Sequence, residues 1–199
     1  ANNLKSIPRD YQGRIVDFTV APFNMILTLD DGTVAGVGIR GSELVTTIPE
    51  HLQDGSTKVV DVVTSETGAL ALDDQGHLHG WGRISGTVLS SIEQLDVPVA
   101  KISSNLKSFY ALTEDGNIHT LGAGKYGLTD IPSSVEKKDI KDIYSAYYSA
   151  YALDENGNID AWGLEGFLLG SDVFGRFVAT RLLHGGRISL TLGAVAIVI

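Results

Sequence analysis

The chain has 199 residues, 43% of them hydrophobic and 20% charged, with no cysteine and a formal net charge of −9. That length and balance suit a folded chain of one domain or slightly more with a real core, and they exclude an intrinsically disordered one. The missing cysteines exclude a disulfide framework, thiolate zinc sites and a cysteine nucleophile, while scattered cations in an acidic chain argue against nucleic acid, whose phosphates need clustered Lys and Arg.

Residues 1–13 show no basic, apolar and small-residue series of the signal-peptide kind, and they read as an N-terminal segment available to close a ring. From Arg14 the β-branched run "RIVDFTV" predicts a strand, and a second strand ends at Leu29. A third follows the Asp-Gly turn at Gly32. The same three signals return with "KVVDVVTS", Leu72 and Gly76, with "VAKISS", Leu112 and Gly116, and with "IKDIYS", Leu153 and Gly157. The turn glycines are 44, 40 and 41 residues apart, and another glycine stands six residues after each, at Gly38, Gly82, Gly122 and Gly163. Aligned on the apolar runs, the first hairpin is one residue shorter than the others. Between units, "TIPE", "DVPV" and "DIPS" supply an outer strand or a loop, with proline where no backbone donor is needed. Residues 167–199 contain "RLLHGGRISLTLG", an irregular fifth hairpin, and the apolar "AVAIVI", a strand that closes the ring or serves assembly. No apolar run reaches the ~18 residues of a membrane span.

A unit of about 40 residues with three or four antiparallel strands cannot bury both its faces alone. Stacking such units around an axis solves this, so the expected fold is all-β: a small β-propeller of antiparallel three- to four-stranded blades, with four clear repeats and an irregular fifth. The predicted organisation is an N-terminal segment 1–13, a four-repeat region 14–166, and a fifth blade or assembly tail 167–199. The wording "ALTEDGNIHTLGAGKYGLTDIP", from Ala111 to Pro132, and its three counterparts resemble the regulator of chromosome condensation repeat, in its bacterial and phage-type forms. Val37 and Leu121 depart from that pattern, standing where Trp81 and Trp162 stand in their units. The resemblance implies a propeller that acts through protein surfaces, and the best-known members of that family have seven blades.

Candidate chemistry is sparse. His79, His119 and Asp160 share one register position, three residues past the turn glycine, but outer strands diverge too far for shared metal coordination. Asp154, Asn156, Asn158 and Asp160 alternate like calcium ligands, yet Gly157 sits where a hairpin needs it rather than where an EF-type loop does. Acidic pairs at every hairpin suit turns and solvent better than acid–base catalysis. No cofactor or metal is expected, and no enzyme. The links between the first two strands of each unit, "APFN", "TSET", "SNLK" and "SAYY", are where the repeats stop agreeing. Phe23, Leu106, Tyr147 and Tyr148 there are the expected partner-binding residues, because turn geometry requires none of them and tyrosine anchors interfaces well. Tyr126 and Phe167 are weaker candidates, expected on another surface. The functional expectation is a binding or structural propeller of a phage virion or bacterial surface, attaching to a protein or a surface glycan, with homo-oligomers or larger assemblies formed through the tail. The alternatives are a soluble inhibitor that plugs a partner's active site and, third, a propeller hydrolase using Asp160.

Overall fold

The computed structural model describes residues 7–164 apart from residues 40, 85, 123, 124 and 137. The expected fifth hairpin and tail, residues 167–199, lie outside the described residues. Twelve strands among those described form four separate three-stranded antiparallel sheets, each in sequence order. The first holds β1 (Ile15–Ala21), β2 (Asn24–Leu29) and β3 (Val34–Gly38); the second β4 (Val59–Thr64), β5 (Gly68–Asp73) and β6 (Leu78–Gly82). The third holds β7 (Val99–Ser104), β8 (Ser108–Thr113) and β9 (Ile118–Gly122); the fourth β10 (Ile140–Ala146), β11 (Ser149–Asp154) and β12 (Ile159–Gly163). These are propeller blades, with β1, β4, β7 and β10 lying side by side as the inner strands.

The turn that repeats in the sequence repeats in space. In each blade the amide of the turn glycine donates to the carbonyl three residues back, as Gly32 does to Leu29 at 2.9 Å and Gly116 to Thr113 at 2.9 Å. The glycines take φ of 79°, 82°, 84° and 83°, the left-handed region that closes a type I turn with a bulge. The structural alignment corrects the one made on apolar runs. Leu29 pairs with Ile15 as Asp73 pairs with Val59, so all four hairpins have equal length. Leu29 takes the place of Asp73, Thr113 and Asp154, whose side chains tie their own turns. Asp73 Oδ1 accepts from the amides of Gln75 and His77, and Asp154 Oδ1 accepts from those of Asn156 and Asn158. In the first blade Asp31 does this work, accepting from the Thr33 amide and hydroxyl.

Successive blades bury apolar clusters between them. Ile26 and Val34 meet Val62 and Ala71; Leu70 and Leu72 meet Ile102 and Ala111; Tyr110 and Leu112 meet Ile143 and Ala152. The turn glycine also docks the next blade, since the Gly32 and Gly76 carbonyls accept from Val59 and Val99 at 2.9 Å. Of the N-terminal segment, Ile7 and Tyr11 pack on Leu27, Leu29, Ala35 and Val37 of the first blade.

The segments after β3 and β6, read as an outer strand or a loop, contain short helices: α1 (Glu43–Thr46) and α2 (Gly86–Glu93). Glycine in the third strand leaves room for α1. Two residues before the end of the third strand stands Gly36 or Gly80, and a Cβ on Gly36 would lie 2.5 Å from the Thr46 carbonyl oxygen. Thr120 and Ala161 occupy that position in the third and fourth blades. The two tryptophans tie down the connections after β3 and β9: Trp81 Nε1 donates to the Val45 carbonyl at 2.7 Å, and Trp162 Nε1 to that of Leu128 at 3.1 Å. No helix among the described residues is long and apolar enough to cross a membrane.

Candidate partner-binding face

The loops joining the first two strands of every blade emerge at one end of the sheets, opposite the acidic hairpins. Two of them span three residues because a buried side chain organises each. Ser65 Oγ accepts from the Gly68 amide at 3.0 Å, and Asn105 Oδ1 accepts from the amides of Lys107 and Ser108 at 3.0 and 2.9 Å. The other two, Pro22–Phe23 and Tyr147–Tyr148, are two-residue loops.

Between these loops lies an open groove of about 530 Å³ that all four blades line. Its walls are Thr19–Pro22 of the first blade, Thr64 of the second, Ser104–Leu106 of the third and Ser145–Tyr147 of the fourth. None of these residues is charged. Hydroxyl and amide side chains stitch neighbouring blades at its floor: Thr64 Oγ1 donates to Asn24 Oδ1 at 2.8 Å, Ser104 Oγ to the Thr64 carbonyl at 3.0 Å, and Ser103 Oγ to Ser145 Oγ at 2.7 Å. The Leu106 amide donates to the Tyr147 carbonyl at 3.2 Å, joining the third and fourth loops.

Leu106 and Tyr147 thus line one groove, and the Tyr148 ring lies tilted against Tyr126 with centroids 4.8 Å apart. Tyr126, expected on another surface, belongs to this face, because the connection after β9 returns to the end of the blade where the first loops emerge. Phe23 is half-exposed beside Pro22 but is not among the groove's lining residues. Phe167 lies outside the described residues. Lys107, which the sequence reading passed over, pairs with Glu66 and lies close to both Tyr126 and Tyr148. Its hydrogen bond to Glu66 raises its pKa above the ordinary lysine value. Tyr147 is 76% exposed, and its φ of 47° is left-handed; Tyr126, 50% exposed, has φ 62°. Bulky residues rarely adopt that conformation, and such outliers gather at functional sites.

The other candidate groups have local partners. His79 Nε2 lies 2.9 Å from Asp73 Oδ2, and its Nδ1 lies 3.3 Å from His51 Nε2. Burial works against the charged form of Asp73, but the bonds from His79, His77 and Gln75 outweigh it and hold its pKa below the ordinary value. Lys138 Nζ sits 2.5 Å from Asp160 Oδ2 and 3.6 Å from Asp154 Oδ2, so an ammonium occupies the centre of the calcium-like series. Sequence reading also missed a feature of the axis. Asp17, Asp61, Lys101 and Asp142 occupy one register position, each at the bulge of its inner strand. Asp17 and Asp142 accept the next residue's amide, from Phe18 and Ile143, at 2.8 Å, and Lys101 pairs with Asp142. The Asp recurring in three of the four lead-in runs was the available signal.

No family model matches the chain. The regulator of chromosome condensation from Homo sapiens is 27% identical over 179 residues, covering 69% of this chain and 42% of that protein. Among solved structures, Prp20p from Saccharomyces cerevisiae, studied with its binding to Gsp1p and histones, superposes with a TM-score of 0.64 at 16% identity, covering 80% of this chain and 46% of that one. The C-terminal domain of gp131 from bacteriophage phiKZ gives 0.55 at 10% identity, covering 79% and 53%. The chain is thus similar in sequence to the regulator of chromosome condensation, and its fold is the propeller of these solved neighbours. The chain spans less than half the length of the human relative.

Proposed function

We propose that this protein is a non-enzymatic docking propeller that binds a partner protein through the groove face. The observation that carries the reading is the convergence of Leu106, Tyr147, Tyr148 and Tyr126, from three connections, at and beside a groove with no charged lining residue. Tyrosine anchors of this kind dominate interface energetics. Protein binding by Prp20p supports a protein rather than a small substrate as the target. The engagement of Asp160 by Lys138 and Ser134 supports the non-enzymatic reading, since a general acid or base needs a carboxylate free to meet substrate. In its finer form the proposal assigns the protein to a phage virion or bacterial surface, where it mediates attachment or assembly; the phiKZ fold neighbour supports this.

The test places a photoreactive phenylalanine at Leu106, cross-links in a virion or cell-surface fraction, and identifies the trapped protein. Calorimetry then compares that partner's affinity for wild type and Tyr148→Ala. A tenfold or greater loss is expected, and equal affinity overturns the face assignment.

A further inference from the structure

From the groove's chemistry we infer that its occupant is a proline-rich segment of the partner protein in the polyproline II conformation. The inference rests on the docking reading above and adds the class of ligand. An ordinary extended segment brings one N–H and one C=O per residue, and it binds well where a strand edge offers a matching ladder. The groove offers none, because it crosses the ends of the inner strands rather than running along one. A charged segment finds no counter-charge, since no lining residue is charged and Lys107 is already paired with Glu66.

A proline-rich segment brings carbonyls without N–H groups, and it docks on aromatic surfaces at low entropic cost because it is already extended. The rim supplies what such a segment needs. Tyr147 lines the groove, Tyr148 follows it in the same loop with its ring tilted against Tyr126, and the hydroxyls of these three make no hydrogen bond to another described residue. Each is a donor on a flat apolar ring, the combination that receives a proline and the carbonyl beside it.

The test titrates the full chain with synthetic decaproline, and with a Gly-Ser peptide of equal length, following backbone amides by NMR. Decaproline alone is expected to shift the amides of Leu106 and Ser145 through Tyr148. Tyr147→Gly, which suits the local backbone, is expected to weaken binding at least tenfold with dispersion elsewhere retained, and Tyr148→Phe to weaken it several-fold. Unshifted amides at millimolar decaproline overturn the inference, as does equal binding by Tyr147→Gly, or a response to neutral oligosaccharides in place of decaproline. If decaproline fails while the cross-linked partner still depends on Tyr148, the ligand class falls and the docking face stands.

Discussion

At the residue scale, Tyr147 sets local stability against surface chemistry. A left-handed conformation costs an L-residue about 1–2 kcal/mol relative to glycine, and an exposed ring recovers little of that through packing. Tyr147→Gly is therefore expected to raise unfolding stability by roughly 1 kcal/mol, read as a higher urea midpoint, while it abolishes partner binding. Asp61 shows a different conflict. Burial first, and then repulsion from Asp17, push its pKa above the ordinary 3.8 despite Lys101 nearby. Between 3.8 and the raised value the folded state holds more protons than the unfolded one, so stability falls as pH rises through that window. Asp61→Asn is expected to melt higher than wild type at pH 7, with the difference shrinking to nothing below the ordinary carboxylate pKa. A constant difference across pH would show that the charge is not its cause.

At the scale of elements, a glycine in the third strand makes room for the helix packed on it in the first blade. Gly36 has no need of a positive φ; its role is to leave room for α1, whose Thr46 backbone would otherwise collide with a Cβ. Gly36→Val is expected to displace α1 and cost about 2 kcal/mol or more by overpacking. Thr120→Gly, at the matching place in the third blade, should cost no more than about 1 kcal/mol, the strand penalty of glycine. Thermal unfolding of both variants measures the contrast, and equal effects would refute it.

At the scale of the whole molecule, matching positions of similar repeats carry unequal energy because their burial differs. Leu78 of the second blade is 9% exposed against the third, whereas Ile159, its counterpart in the fourth, is 69% exposed. Leu78→Ala is expected to cost about 2–4 kcal/mol and Ile159→Ala under about 0.5, checked by chemical denaturation. The same logic holds at the first blade, where exposed Phe18 stands in the register of buried Val62, Ile102 and Ile143. The blades also give the described region two unlike ends, an acidic one of hairpin turns and a nearly neutral aromatic one.

The strands, their hairpins and the repeat could be read from the sequence because each is a local matter: two-residue alternation, a glycine with positive φ, and recurrence at a fixed offset. The residues of the proposed docking face were legible in part. Leu106, Tyr147 and Tyr148 stood out because nothing in turn geometry asks for them, whereas Tyr126 and Lys107 joined them only when the chain folded. Side chains that meet across blades, such as Tyr126 with Tyr148 and Lys101 with Asp142, lie on different connections or strands, and no local pattern fixes their approach. Only the tertiary structure decided that α1 and α2 form where an outer strand or a loop was expected, that Leu29 aligns with Asp73, and that all four blades line one groove. Each of those outcomes depends on which surface packs against which, and packing is set by the whole ensemble of neighbours rather than by the residues next in sequence.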